Sequence, residues 1–265
     1  MTRSELDRAL ATATDAARAA GTLMRRNFHS TKKVNEETRH DIKLELDVRC
    51  QRLIERRLRR AFPTVPILGE EGIVGDPRAS HRWVVDPIDG TVNFAYGIPH
   101  SCVSIALQRR VGSEAGPYET VVGVVYDPFC DELWTAIRGR GARLNGRPIA
   151  VSRRARLAEC IVSIGFAKEP ATMRKMIPTL NALLRRVRKV RIMGAAALSL
   201  VYVASGRVDA YVEYGLRLWD IAAGGLILEC AGGDFFHEPV PGEHRYRLVA
   251  NNGRLRRPLE RLGRG

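Results

Sequence analysis

A short apolar segment that leads directly into two aspartates, within residues 83–94, constrains this chain more than any other feature. Its first three residues have the composition of a buried strand, and Asp86 and Asp89 follow with Pro87 fixing a turn between them. The glycine and threonine after Asp89 offer backbone N–H groups where a helix can begin. In an α/β fold this end of a strand is where ligands usually bind, and carboxylates gathered there repel one another unless a cation neutralises them. The segment predicts a cation-dependent site; the alternative is a turn in which both aspartates act only as caps.

Two other acidic segments follow predicted core elements in the same way. Glu70 and Glu71 come directly after the strand-like residues 67–69. Asp220 stands at the start of a predicted helix whose next residues are small. Taken alone, Asp220 is equally well explained as a helix N-cap, a position that favours Asp. The three segments together place carboxylates where the chain leaves its core at three separate points.

The first quarter of the chain is predicted to be mostly helical. Apolar residues recur at steps of three and four over residues 6–28 and 47–62, the spacing of amphipathic helices. Ser4 and Asp7 are predicted to form the capping box of the first helix. Residues 29–43 carry no periodicity and are predicted to form a mobile surface loop.

The rest of the chain predicts strands first and then alternating strands and helices. Four β-rich runs are expected to be neighbouring strands of one sheet: 83–85, 102–107, 120–126 and 132–137. After residue 158 strands and helices alternate, which indicates an α/β second half. Residues 138–141 begin like a glycine-rich phosphate loop but lack its third glycine, so a hairpin turn is expected. Without a long linker, residues 1–265 are predicted to be a single domain with two closely packed lobes, approximately 1–150 and 151–265.

Composition excludes several classes of protein. Of the 265 residues, 45% are hydrophobic and 27% charged, which is an ordinary globular balance. No apolar run approaches the roughly 18 residues that span a bilayer, and the N-terminus lacks the apolar core of a signal peptide. A soluble cytoplasmic protein with no membrane partner is therefore expected. The five cysteines form no CxxC pair, so neither a disulfide framework nor a zinc site is predicted.

The chain is strongly basic, with 43 Lys and Arg residues against 29 Asp and Glu and a net charge of +14. Of the basic residues 37 are Arg, a bias that a GC-rich coding sequence can produce. Basic clusters occur at residues 52–60, 185–191 and 254–264, and the first two lie on helix-like segments, where charged faces are usually just solvated. Nucleic-acid binding is thus possible but not favoured by the sequence.

In their order along the chain, these motifs resemble the inositol monophosphatase family of magnesium-dependent, lithium-sensitive phosphatases. The matching segments are Asp47, the Gly-Glu-Glu of 69–71, the Asp-Pro-Ile-Asp-Gly-Thr of 86–91 and the Trp-Asp-Ile-Ala-Ala-Gly of 219–224. The resemblance covers nearly the whole chain. It implies a layered α/β fold, the αβαβα sandwich shared with fructose-1,6-bisphosphatases, usually as a homodimer. It also implies two or three Mg²⁺ ions per subunit and a small-molecule phosphate ester as substrate.

The resemblance further implies a role for each matching residue. The metal ligands would be Glu70, Asp86, the backbone carbonyl of Ile88, Asp89 and Asp220, with Asp86 shared between two ions. The catalytic residues, which would orient and deprotonate a metal-activated water, would be Asp47, Thr91 and Glu70. The substrate would contact Asp89, Gly90, Thr91, Ala196, Glu213 and Asp220.

The chain departs from the family pattern at three places. Lys43 and Leu44 stand where the family usually has Val-Thr, Ala195 replaces a frequent Ser or Thr, and Ser199 replaces a frequent Asp or Asn. None of them is an implied metal ligand, so activity is expected to survive.

The resemblance leaves the substrate open. The leading hypothesis is hydrolysis of inositol 1-phosphate or a similar polyol phosphate. The alternatives within the same class are fructose 1,6-bisphosphate, histidinol phosphate and a nucleotide 3′-phosphate. The alternative from another class is a protein that binds RNA or the transcription machinery and has only secondary phosphatase activity.

Overall fold

The computed structural model describes residues 1–37, 42–76, 78–113, 116–166 and 169–262, which form alternating layers of helix and sheet. The helices in these residues are α1 (Arg3–Asn27), α2 (Glu45–Ala61), α3 (Thr91–Ala95), α4 (Pro170–Arg186), α5 (Ala196–Ala204), α6 (Leu218–Cys230) and α7 (Arg256–Leu262). The strands are β1 (Val34–Glu37), β2 (Ile42–Leu44), β3 (Ile67–Gly69), β4 (Gly72–Val74), β5 (His81–Asp89), β6 (Cys102–Arg110), β7 (Tyr118–Asp127), β8 (Glu132–Ile137), β9 (Arg143–Leu144), β10 (Arg147–Pro148), β11 (Ile161–Phe166), β12 (Lys189–Arg191), β13 (Ala210–Arg217), β14 (Asp234–Pro239) and β15 (Arg245–Asn251).

The first sheet has eight strands in the order β10-β9-β8-β7-β6-β5-β3-β4. Its pairs are antiparallel except for β3 and β5, which run parallel. Helices α1 and α2 cover one face, and the buried side of α1 is mostly alanine, which lets the helix lie close to Val124 and Ile105 of the sheet. The two predicted helices are confirmed, but the capping box of α1 is formed by Thr2 and Glu5 rather than by Ser4 and Asp7.

The second sheet has five strands in the order β12-β11-β13-β15-β14. Helices α5 and α6 lie between the two sheets in one core that includes Trp134 of the first sheet and Tyr211 of the second. Both helices are apolar nearly all round, as helices buried on two sides must be. Helices α4 and α7 cover the outer face of the second sheet. This order of layers confirms the predicted αβαβα sandwich.

Two predictions about irregular segments have different outcomes. Residues 34–37 and 42–44 pair as an antiparallel two-stranded ribbon, so the prediction of a loop across 29–43 was wrong for those strands; residues 38–41 lie outside the described part of the chain. So short a ribbon gives no apolar alternation that a sequence pattern can detect. Strands β8 and β9 pair antiparallel, which confirms the hairpin at 138–141.

Three further observations concern the chain as a whole. All five cysteines are free. Across the described ranges no helix is long and apolar enough to cross a membrane. The first sheet ends at Pro148 and the second begins at Ile161, and the division into two lobes stays a prediction.

Candidate active site

The carboxyl end of β5 carries the two aspartates of the central motif. Asp86 pairs with Ser104 and Asp89 with Cys102, so β5 has one residue more than β6 in this interval. Pro87 lies inside this bulge, where a strand tolerates a residue that has no N–H to donate. Because the bulge offsets the alternation of side chains, both carboxylates reach the same pocket.

This pocket has a volume of 340 Å³ and is lined by carboxylates from four elements. They are Glu70 after β3, Asp86 and Asp89 on β5, Glu213 on β13 and Asp220 in the first turn of α6. The backbone of Ile88, Gly90, Thr91 and Ala196 also lines the pocket. No Lys, Arg or His is among the described residues that line it. All the predicted metal and substrate residues therefore meet in one place.

The buried aspartates of this pocket bind a proton more readily than ordinary carboxyl groups do. Burial, followed by the charges of neighbouring acids such as Glu70, raises the pKa values of Asp86 and Asp220 well above their usual range. Burial also raises the pKa of Asp89 to about 6. A bound cation would reverse this effect by favouring the ionised carboxylates.

Asp89 is held at the N-terminus of α5. The backbone N–H groups of Ala196 and Ala197 donate to its two carboxylate oxygens over 3.0 and 2.8 Å. These N–H groups have no partner within their own helix, so the aspartate satisfies them and is fixed in orientation by them. Asp89 therefore links the first sheet to a helix of the middle layer.

Asp47 lies in the first turn of α2, behind Thr91. The backbone N–H of Leu44 donates to Asp47 Oδ2 over 2.8 Å. Thr91 Oγ1 lies 3.2 Å from Asp47 Oδ1 and 2.9 Å from the Ile88 carbonyl oxygen. The pKa of Asp47 is raised to about 7, chiefly by burial, so this carboxyl can gain or lose a proton near neutral pH.

Glu213 lines the pocket from β13 of the second sheet. The Tyr211 hydroxyl donates to Glu213 Oε2, and burial raises the pKa of Glu213 to about 7. Gly165 pairs with Glu213 across β11 and β13, and a Cβ at position 165 would overlap the Glu213 carboxylate. The glycine therefore leaves room for the carboxylate in its present position, a relationship that the sequence alone did not reveal.

Two more residues that the sequence motifs did not single out shape the pocket rim. Asn93 Nδ2 donates to the carbonyl oxygens of His100 and Met193, each over 2.9 Å, and so ties α3 to the segment before α5. Gln51 Oε1 accepts from the backbone N–H of Glu71 over 2.9 Å and so holds the chain next to Glu70. Both act on segments far away in sequence, which no local pattern indicates.

The donor set fits a hard divalent cation, because carboxylate and carbonyl oxygens suit Mg²⁺ and no Cys or His is part of it. Within the described ranges, however, no three His, Cys, Asp or Glu side chains group closely enough to hold a metal ion by themselves. Mg²⁺ commonly uses only one or two carboxylates together with water and phosphate oxygens. The assignment of particular ligands to particular ions is accordingly a proposal.

Leu44, Ala195 and Ser199, which depart from the family pattern, are all buried, and of the three only Ala195 lines the pocket. Leu44 is buried in the core under α1 and α2 and anchors Asp47 through its backbone. Ser199 Oγ donates to the Ala195 carbonyl oxygen over 2.9 Å and lies 3.3 Å from Ser163 Oγ. Neither Leu44 nor Ser199 is among the residues that line the pocket.

Comparison with known proteins decides the family. The sequence profile of the inositol monophosphatase family matches residues 5–256. The chain belongs to the inositol monophosphatase family. A member of this family, inositol monophosphatase 1 of Solanum lycopersicum, is 39% identical over 262 residues, which are 95% of this chain and 93% of that protein. The family membership identifies the protein as a phosphatase.

Relatives of this chain also include proteins that are not named inositol monophosphatase. A Nus factor SuhB of Xylella fastidiosa is 39% identical over 260 residues, covering 93% of this chain and 91% of that protein. The crystal structure of the extragenic suppressor protein suhB of Bartonella henselae superposes with a TM-score of 0.85 at 35% identity, covering 96% of this chain and 97% of that chain. The fold and the family are therefore shared, while the names of the relatives differ.

Proposed function

We propose that this protein hydrolyses inositol 1-phosphate or a similar small polyol phosphate in a Mg²⁺-dependent reaction. The observation that carries the proposal is the convergence of five carboxylates in one 340 Å³ pocket, with no basic side chain among the described residues that line it. Such a pocket repels a phosphate ester unless divalent cations accompany it. Glu70, Asp86, Asp89, Asp220 and the Ile88 carbonyl would hold two or three Mg²⁺ ions.

When bound, Mg²⁺ supplies positive charge for the phosphate oxygens and makes a nearby water more acidic. Thr91 Oγ1 orients that water and passes its proton to Asp47, whose pKa of about 7 suits a base at neutral pH. The water oxygen forms a bond to phosphorus, the bond from phosphorus to the ester oxygen breaks, and the leaving oxygen takes up a proton to become the alcohol. Backbone N–H groups of Gly90 and Thr91 hold the phosphate.

The pocket wall favours a neutral polyol as the leaving group. Glu213 lies where it accepts hydrogen bonds from hydroxyl groups, and Phe166, Ile192 and Leu216 offer an apolar surface for the C–H face of a ring. A second phosphate on the leaving group would meet acids rather than cations in the described lining. This argues against fructose 1,6-bisphosphate and nucleotide bisphosphates, while the cationic side chain of histidinol phosphate is compatible with the acids.

A homodimer is the second part of the proposal. Tyr96, Ile98 and Ile192 are exposed by 74%, 50% and 60%. Asn93 ties their two segments together, since its backbone carbonyl accepts from Ile98 and its side chain donates to Met193. We call these three residues the apolar patch. A second copy seated on it would cover apolar surface beside the pocket rim, which Ile192 also lines.

The substrate is tested by phosphate release from inositol 1-phosphate, histidinol phosphate, fructose 1,6-bisphosphate and adenosine 3′,5′-bisphosphate, each with Mg²⁺ and with a chelator. Chelator-sensitive turnover with the highest kcat/KM for inositol 1-phosphate is expected. A higher kcat/KM for histidinol phosphate would change the assigned substrate and leave the proposed mechanism unchanged. Preference for either bisphosphate would contradict the substrate assignment.

A further inference from the structure

The exposed face of α2 carries five arginines in one stripe. Their spacing along the helix, at about 100° per residue, confines them to an arc of about 100°. The members of the stripe are Arg49, Arg52, Arg56, Arg59 and Arg60, and all five are exposed. The opposite face of α2 is fixed in the core by Leu46, Cys50, Ile54 and Leu58. Because α2 is anchored along that face, the arginine stripe has a fixed outward direction.

No carboxylate neutralises the arginine stripe within the described ranges, where none of its members has an acidic oxygen within 4.0 Å. Three acids of α1 and α2 have other partners. Glu45 lies 3.6 Å from Lys33, Glu55 accepts from Gln51 over 3.0 Å, and Asp15 pairs with Arg57.

The arrangement gives the fold little stability, since only Arg59 and Arg60, in the last turn of α2, lie where the helix dipole favours a cation. Arginines three and four positions apart on a helix repel each other, as Arg52, Arg56 and Arg60 do. Other arginines on the surface are paired, for example Arg138 with Glu229 and Arg207 with Glu132. A repulsive stripe that is rigidly presented and lacks intramolecular counter-charges is explained by an anionic partner.

The chemistry of the stripe selects the class of partner. We propose that the exposed face of α2 docks the phosphate backbone of a nucleic acid duplex without regard to sequence. Guanidinium groups bind phosphate oxygens in pairs, and the stripe extends about 17 Å along the helix axis, long enough to follow several successive phosphates.

Other partners fit this surface less well. A membrane-binding helix needs an apolar face directed outward, and the apolar face of α2 is buried. A protein interface needs aromatic or aliphatic anchors, and α2 contributes none to the exposed large hydrophobic residues of the described chain. The absence of an exposed aromatic residue on α2 also removes the stacking that single strands require.

The test is the salt dependence of binding to RNA and DNA duplexes of 20 base pairs and the same sequence. The stripe variant carries Arg52→Gln, Arg56→Gln and Arg60→Gln. A control variant carries Arg147→Gln, Arg153→Gln and Arg254→Gln. These three arginines are exposed and, like the stripe, form no ion pair within the described residues, so both variants lower the net charge equally. Circular dichroism and phosphate release check that both remain folded, since none of the six residues lines the pocket.

With five phosphate contacts the slope of log affinity against log salt is expected to be about −4.5, which weakens binding about 500-fold between 50 and 200 mM salt. The stripe variant should lose about 2.7 units of that slope and the control variant less than one. The duplex that binds more tightly identifies the physiological backbone. Equal losses in the two variants, tighter binding of a single strand, or equally tight binding of polyglutamate would overturn the proposal. The result is independent of whether the pocket hydrolyses inositol 1-phosphate.

Discussion

Gly165 lies directly beside Glu213 on neighbouring strands, and a Cβ at position 165 would occupy the place that the Glu213 carboxylate now takes. Replacement by alanine is therefore expected to displace Glu213 from the pocket wall. In Gly165→Ala we expect kcat/KM for inositol 1-phosphate to fall about 10- to 100-fold, mostly through KM. The matched control is Gly141→Ala, because a Cβ there meets nothing within 4 Å. Equal kinetics in the two variants would remove Glu213 from substrate recognition.

The contact between Thr91 and Asp47 gives a second prediction. Thr91→Val keeps the shape of the side chain but removes the hydroxyl that lies 3.2 Å from Asp47 Oδ1. We expect kcat to fall about 10²- to 10⁴-fold, the usual contribution of a proton-transfer group. Thr91→Ser is the control and should keep most of the activity. If the valine variant matched the serine variant, the proposed proton path would be wrong.

The stability of the metal-free protein should depend on pH in an unusual direction. The pKa values of Asp47, Asp89 and Glu213 are about 7, about 6 and about 7, above the 3.8 to 4.5 of ordinary carboxyls. A carboxyl whose pKa is higher in the folded chain stabilises the fold while it is protonated. That stability is complete below about pH 4 and is lost as the pH rises through 6 and 7. With a chelator we expect the melting temperature to fall between pH 5 and pH 8, and Mg²⁺ to restore it at pH 8.

Asp86→Asn is the control for this prediction, because it removes one buried charge from the cluster without changing the size of the side chain. The variant should melt at a higher temperature than the wild type in chelator at pH 8 and respond less to Mg²⁺. Calorimetric scans of both proteins at the two pH values measure this. If the wild type melted at the same or a higher temperature than the variant in chelator at pH 8, repulsion between the buried carboxylates would not destabilise the fold.

The apolar patch predicts the oligomeric state. Light scattering after gel filtration should give a dimer for the wild type and a monomer for Ile98→Asp, because a carboxylate at that position would be buried without a partner. Ile73→Asp serves as the control, since Ile73 is 55% exposed and lies on β4, outside the patch. A monomeric wild type, or equal dissociation of the two variants, would place the patch outside any interface.

The convergence of Asp86 and Asp89 in one pocket could be predicted from the sequence because the two residues are close neighbours along the chain. Both stand at the carboxyl end of β5, on either side of a bulge that contains Pro87. The two long helices were equally predictable, since a buried face repeats every three to four residues. The layer order came from the family resemblance rather than from these patterns.

What could not be predicted depends on contacts between distant segments. Gly165 matters only because β11 and β13 pair in parallel with Glu213 opposite, and Asn93 matters only because it reaches Met193, 100 positions further along the chain. The capping box of α1 was placed at Ser4 rather than at Thr2 because both residues suit an N-cap and are followed three positions later by an acid. The basic segment 52–60 was predicted to be merely solvated. The sequence does not show that the nearby acids already have partners.

The central claim is that the carboxylates of this pocket hold Mg²⁺ for hydrolysis of a phosphate monoester. It is tested most directly by phosphate release from inositol 1-phosphate, comparing the wild type with Asp86→Asn, each with Mg²⁺ and with a chelator. The account predicts turnover by the wild type with Mg²⁺ alone and release near background in the other three conditions. Undiminished release by Asp86→Asn, or by the wild type with the chelator, would contradict it.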